Sequence, residues 1–245
     1  MNHHPCLGTT LARLIALLFA VGLSPAADEI RPDLSADVLV VGATPGGIAA
    51  AVAAARGGAS VILLEEMNHI GGVVSGGLTN ADIRKKAAVG GLFAEFSRRI
   101  KDHYSRTYGD GSPQVAACRG GQMFEPRIAE QVYREMLAEQ ANVRLILGHR
   151  VVAADVADAT GGTRPAVRGK RIDGAPPNDF GAIVKIVAIT AQNLLKKDEA
   201  IRIRSRVFID ATYEGDLAAL AGVPYRIGRE SRATFGEPHA GKIYV

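Results

Sequence analysis

The stretch VLVVGATPGGIAAAVAAARGGASVILLEE, residues 38–66, constrains the fold more than any other part of the chain. It holds a continuously apolar run, 38–41, and a second buried-strand run, SVILL at 60–64, of the kind that parallel strands buried on both faces require. Between them lie a glycine turn and a run of Ala, Ile and Val that stops at Gly57-Gly58. Side chains this small let a helix lie close on a sheet, and a glycine pair ends it. The segment therefore predicts a strand, a helix and a second strand in a Rossmann-like α/β core.

The turn Gly42-Ala43-Thr44-Pro45-Gly46-Gly47 has the layout of a dinucleotide loop. Gly42 makes the bend and Gly47 lets the helix approach the strand, while the free N–H groups at the helix start face a pyrophosphate. Thr44 stands where such a loop usually has its middle glycine. It adds a Cβ at the point of phosphate approach, and its hydroxyl can donate a hydrogen bond in exchange. Pro45 lacks an N–H but stiffens the turn. Glu65 closes the second strand, where a carboxylate accepts hydrogen bonds from ribose hydroxyls. Glu66, one residue on, is the alternative. An acid here argues against a 2′-phosphate and so against NADP. A second glycine pair, Gly71-Gly72 after His69-Ile70, can lie across the pyrophosphate from the first loop.

Residues 67–91 read as glycine-rich and irregular, 92–103 as an amphipathic helix and 104–121 as loop. Pro126 suits the first turn of a helix whose Ile128, Val132 and Met136 share one face. Residues 143–147 form a third short strand. Strands at 150–156, 183–191 and 200–204, with a Gly/Pro/Asn-rich loop at 158–179, read as an antiparallel meander inserted in the sheet. Residues 206–210 return to buried-strand character, and 217–221 form a short helix. The fold class is α/β: a parallel sheet with an inserted antiparallel β-meander.

An apolar fraction of 47% permits a sizeable core, and a net charge of +4, scattered along the chain, forms no basic stripe with interleaved aromatics. That argues against nucleic acid as a partner. Arg13, an apolar run at 14–23 and the small residues Ser24-Pro25-Ala26 have the order of a secretory signal peptide cleaved after Ala26. An uncleaved interfacial anchor is the alternative; the run is short of the ~20 apolar residues a bilayer span needs. Export to the periplasm or beyond is expected. Cys6 leaves with the signal, so Cys118 remains alone, without an internal disulfide or a zinc site. No metal site is expected.

Five stretches carry a resemblance: GATPGGIAAA, the HIGG–SGGL pair, FEPRIAEQVYREML, IDATYEGDLAALAG and the GE–AG tail. Together they resemble the FAD-dependent oxidoreductases of the glutathione-reductase-type fold, in particular an exported bacterial family, over residues 37–244. The resemblance implies FAD in an extended pose. Gly42, Thr44, Pro45, Gly46 and Gly47 would meet the pyrophosphate, and Glu65 or Glu66 the adenosine ribose. Gly71 and Gly72 would flank the phosphates, and Ser75 and Gly76 would approach the flavin. The backbone of Val151 would meet adenine. Ala211 and Thr212 would lie near the phosphates, where the family commonly has Ala-Thr-Gly and this chain has Tyr213 in third place. His69 is a phosphate-facing residue or a covalent flavin attachment point. Asp216 is a helix N-cap or a ribitol contact, or pairs with Asp210 as acid and base. His103 and His149 are surface residues, Cys118 is structural, and no catalytic base is identifiable.

The implied organisation is a signal peptide (1–26), a leader (27–36) and an FAD-binding domain (37–245). Within the domain lie the strand–helix–strand core (37–66), a helical and loop region (67–142), a strand plus meander (143–205), a closing strand motif (206–222) and a tail (223–245). Family members are usually longer, so the chain corresponds to their N-terminal portion. The implied reaction is hydride transfer from an organic small molecule, of which a sugar-like one is the implied class, to flavin. Two rivals stay open: an NAD-binding dehydrogenase on the same core, and an inactive truncated remnant or binding module.

Overall fold

A computed structural model of the chain describes residues 33–157, 162–169 and 185–241. They all belong to the unit Pro32–Val245. The expected signal peptide and the start of the leader lie outside the described residues. Seven strands form one sheet: β1 (Asp33–Val41), β2 (Val61–Leu64), β3 (Val143–Ile146), β4 (His149–Ala157), β5 (Thr163–Pro165), β6 (Ile186–Asn193) and β7 (Ala200–Asp210), in the order β3-β2-β1-β7-β6-β4-β5. The pairs β2–β3, β1–β2 and β1–β7 are parallel, and β7–β6, β6–β4 and β4–β5 are antiparallel. This is the expected parallel core with its antiparallel meander.

Three expectations about the sheet need correction. β1 begins at Asp33, so the last four leader residues are strand and pair with Arg202 to Ser205 of β7. Their alternation explains it: Leu34 and Ala36 pack into the core while Asp33 and Asp37 meet Arg204 and Arg206 outside. For the same reason the two strands expected at 200–204 and 206–210 are one. The polar Arg204-Ser205-Arg206 step holds register with β1 instead of breaking the strand. The second half of β7 is also less buried than expected, with Val207 50% exposed. Its pairing with β6 ends at Arg204, so among the described residues only β1 flanks it as a strand.

Helix α1 (Pro45–Arg56) lies on the sheet through Gly47, Ile48, Ala51, Val52 and Ala55, all buried. Helix α2 is a single turn, Gly72–Ser75. Helix α3 (Gly91–Tyr108) runs beyond the expected 92–103, because Tyr104 turns inward and its hydroxyl accepts from the Glu125 N–H at 3.1 Å. The expected loop at 104–121 also holds helix α4 (Pro113–Ala117), capped by the Ser112 hydroxyl and started by proline. Helix α5 (Pro126–Ala138) buries the expected Ile128, Val132 and Met136, and Tyr133 with them. Helices α6 (Asp216–Leu220) and α7 (Arg232–Phe235) follow β7.

The second half of β1, from Val38 to Val41, and all of β2 are apolar because both faces of the sheet are covered there. Val38, Val40 and Leu63 face α1, α3 and α5, where Phe96 stacks on Tyr133 with ring centres 4.6 Å apart. Leu39, Val41 and Leu64 face the other way, onto Val151, Ile189, Ile203 and Leu217. None of the helices among the described residues is long and apolar enough to cross a membrane.

A chain of ion pairs joins the helical layer. Arg56 ends α1 and meets Glu95 of α3 at 2.7 Å; Glu95 meets Arg99, and Arg99 meets Glu139 at the end of α5. The hydrogen bonds from Arg56, then those from Arg99, hold the Glu95 carboxyl down at about 2, against an ordinary 4.5. A carboxyl depressed in the folded state contributes stability above its unfolded pKa and loses it as pH falls toward the folded one. Thermal midpoints are therefore expected to drop between pH 4.5 and about 2. Glu95→Gln should flatten that slope and lower stability at neutral pH by roughly 1–2 kcal/mol, given the solvent screening of the more exposed partners. A Glu95→Gln profile parallel to wild type would show that the network does not govern acid stability.

Candidate functional site

The site forms where β1, β2 and β7 end, on the carboxyl side of the parallel strands, where α/β sheets bind ligands. After Val41 the chain turns at Gly42, whose φ is +97°. A Cβ there would lie 2.8 Å from the Ala211 carbonyl oxygen, so the close approach of the β7 end demands glycine. Gly47 is tighter still: its Cβ would lie 1.9 Å from the Gly42 oxygen. Gly46 is open, with only Thr44 Oγ1 near, at 3.9 Å.

Thr44 has a definite task in place of the usual glycine. It is the N-cap of α1, where its Oγ1 accepts from the Gly47 N–H at 3.2 Å and donates to the Ala211 carbonyl at 2.9 Å. Its proton is thus committed to the β7 end, a correction to the expectation that it is offered to a phosphate.

Glu65 stands at the end of β2 with both carboxylate oxygens engaged. One accepts from the Ala43 N–H at 2.7 Å and the other from the Met67 N–H at 3.0 Å. These bonds hold the carboxylate at the wall of the cavity and leave further acceptor capacity on each oxygen. Glu66 instead pairs with Arg150 of β4 at 2.7 Å.

The HIGG turn is docked on the first loop by a bond from the Gly71 N–H to the Ala43 carbonyl, at 2.7 Å. His69 bridges Glu130 of α5 and Ser75, each 2.9 Å from one ring nitrogen, and Arg134 flanks Glu130. With both nitrogens engaged, covalent attachment of a flavin at His69 would require this bridge to break. The glycine pair has a structural cause as well. A Cβ on Gly71 would meet Ser75 Oγ at 2.4 Å and the Tyr133 ring at 2.8 Å, and one on Gly72 would meet the Tyr213 hydroxyl at 2.2 Å.

The 211–216 turn is organised by Asp210 and Thr212. Asp210 accepts from the Thr212 N–H and hydroxyl and from the Ala218 N–H, and Thr212 Oγ1 accepts from the N–H groups of Gly215 and Asp216. Asp216 is not the N-cap of α6. That position belongs to Gly215, in left-handed backbone, and the Thr212 hydroxyl does the capping. Asp210 is therefore a loop brace rather than one half of an acid–base pair.

These parts enclose a cavity of about 420 Å³. Of the residues expected from sequence, Gly42, Thr44, Glu65, Glu66, His69, Gly72, Gly76, Val151, Thr212 and Asp216 line it. Pro45, Gly46, Gly47, Gly71, Ser75 and Ala211 are not among its lining residues. His149 lines the cavity too, correcting its reading as a surface residue; its Nδ1 lies 2.7 Å from the Leu147 carbonyl. Sequence reading also missed Arg150, Tyr213 and Glu214 as lining residues. Tyr213 and Glu214 sit inside the ATYEGD run that was singled out, so their position was the available signal. Nothing in the sequence links Arg150 to Glu66, or Glu130 to His69. Cys118 is buried and donates to the Val115 carbonyl, which fits a structural thiol.

A glycine turn into a helix, an acid at the end of the second strand and a cavity across the strand ends define a dinucleotide-binding protein. Over residues 37–244 the chain matches the family model described as FAD dependent oxidoreductase, and it belongs to that family. FAD is the cofactor that family depends on. Among solved structures it is similar to THI4 of Thermovibrio ammonificans, at 15% identity over 89% of this chain and 70% of that one, with a TM-score of 0.45. It is similar to the OxyS anhydrotetracycline hydroxylase of Streptomyces rimosus, at 16% identity over 76% of this chain and 34% of that one, TM-score 0.46. It is also similar to the flavin-dependent monooxygenase PieE, solved with FAD and substrate, at 17% identity over 82% of this chain and 33% of that one, TM-score 0.43. The chain thus spans about a third of the length of the last two. None of the curated proteins compared with it matches.

Proposed function

We propose that the chain binds FAD with its adenosine end at Glu65 and Val151, and serves an oxidoreductase that takes hydride from an organic donor. The observation that carries this reading is the Glu65 carboxylate, fixed at the cavity wall by two backbone N–H groups with acceptor capacity to spare. Such a carboxylate receives two ribose hydroxyls and repels a 2′-phosphate. The residues present fit the cofactor: Gly42, without a side chain, brings backbone to the cavity, and Val41, Leu64 and Val151 add apolar lining. FAD, when bound, supplies the hydride chemistry; the protein binds and orients it. The basic, apolar and small-residue order of residues 1–26 supports export of the mature chain.

The test is an absorbance spectrum. The protein, expressed with its N-terminus intact and recovered from the exported fraction, is incubated with FAD and desalted. Retained flavin bands on a chain beginning at Ala27 are the expected result. Acid precipitation should release the colour, since both His69 nitrogens are engaged. Colour that survives acid would reinstate covalent attachment. A folded, colourless protein that binds NADH would favour the dehydrogenase alternative, and one that binds neither would leave a binding module.

A further inference from the structure

We infer that Tyr213 is a ligand-contacting residue of the cavity, its hydroxyl presented as hydrogen-bond donor to a phosphate oxygen of the bound dinucleotide. The inference rests on the FAD reading above. Tyr213 stands where the sequence reading expected a third small residue after Ala211-Thr212. Its phenol oxygen accepts from the Val73 N–H at 2.9 Å, joining the 211–216 turn to the HIGG turn across the cavity.

Three observations separate this from an incidental surface tyrosine. First, the seat is built. The tip of the ring lies against Gly72, where a Cβ would fall 2.2 Å from the hydroxyl and 3.0 Å from Cζ. Gly72 has φ +51°, a left-handed value that strains any other residue. The ring adds a steric demand for glycine at 72 to that of the backbone. Second, the hydroxyl is half used. It accepts one N–H, and no protein acceptor takes its own proton among the described residues. A phenol that accepts a hydrogen bond becomes a better donor. Third, the side chain is 58% exposed although its tip is tethered, and it lines the cavity. An aromatic with one bonded end and one open face beside a cavity is suited to meet a ligand.

Titration with FAD, ADP and adenosine, on wild type, Tyr213→Phe and Gly72→Ala, tests the assignment. Tyr213→Phe keeps the ring and removes the donor. It is expected to weaken FAD and ADP about tenfold or more, the usual loss for a hydrogen bond to a charged acceptor, and to leave adenosine within twofold. Gly72→Ala displaces the ring tip without touching Tyr213 and should reproduce the loss. The double variant should be no weaker than either single one. Thermal midpoints without ligand report whether each variant is folded. Tyr213→Phe binding FAD as tightly as wild type, or more tightly, would overturn the inference; tighter binding would mark the phenol as a plug over Val73. Equal loss for ADP and adenosine would also overturn it, leaving Tyr213 a brace between turns. If wild type itself binds no FAD, the FAD reading falls and the inference with it. Wild-type binding with an unaffected Tyr213→Phe would sink the inference alone.

Discussion

Gly47→Ala is expected to abolish retention of FAD and to destabilise the fold by about 3 kcal/mol or more. The new Cβ would lie 1.9 Å from the Gly42 carbonyl oxygen, 3.1 Å from its carbon and 3.0 Å from the Ala211 Cβ. Two of those atoms are backbone at the end of β1, which is hydrogen-bonded into the sheet, so they cannot yield as a side-chain tip would. Helix α1 must move off the strand instead. That movement breaks the Thr44 cap, pulls Thr44 from the Ala211 carbonyl and opens the packing of Ile48 and Ala51. Gly46→Ala is the control. Its Cβ would meet only Thr44 Oγ1, at 3.9 Å, so stability should rise by up to about 1 kcal/mol through helix propensity. Thermal melts and a desalting assay for bound flavin read both variants. A Gly47→Ala protein that melts with wild type would show that α1 does not approach β1 this closely.

The contrast between adjacent glycines shows what the sequence could and could not disclose. The strand–helix–strand core was legible because burial on both faces leaves continuous apolar runs, and because a helix pressed on a sheet must be built of small residues. The long β7 was not. Arg204-Ser205-Arg206 reads as a break until Asp33 and Asp37 are seen to neutralise the two arginines from the neighbouring strand. Helix α4 was lost inside a presumed loop although Ser112-Pro113 is a start signal, because five residues carry too little periodicity to register. The glycine pair at 71–72 was legible as a constraint but not in its cause. Glycine marks a place where something comes close, and here Tyr133 and Tyr213 come close, from parts of the chain far away in sequence. Long-range partnerships of this kind, Glu130 with His69 among them, exist only once α5 has packed.

Glu65→Gln is the sharper test of the site itself, because it changes one atom and almost no volume. In the protein each carboxylate oxygen receives a backbone N–H, from Ala43 and from Met67. A carboxamide has one oxygen. Its NH2 must then face one of those N–H groups, donor against donor, whichever way it is flipped. The substitution is therefore expected to cost about 2 kcal/mol of stability, much as Glu65→Ala would, where water entering the cavity can meet the released donors. FAD affinity should fall on the order of 100-fold, since the charge and one of two ribose acceptors are lost together. Calorimetric unfolding and FAD titration on the same preparation separate the two roles. A stability loss with undiminished FAD affinity would reduce Glu65 to a brace between the Ala43 and Met67 turns, and the dinucleotide would then have to be held elsewhere along the cavity. Loss of both marks Glu65 as the residue through which the glycine turn, the end of β2 and the cofactor are held in one geometry.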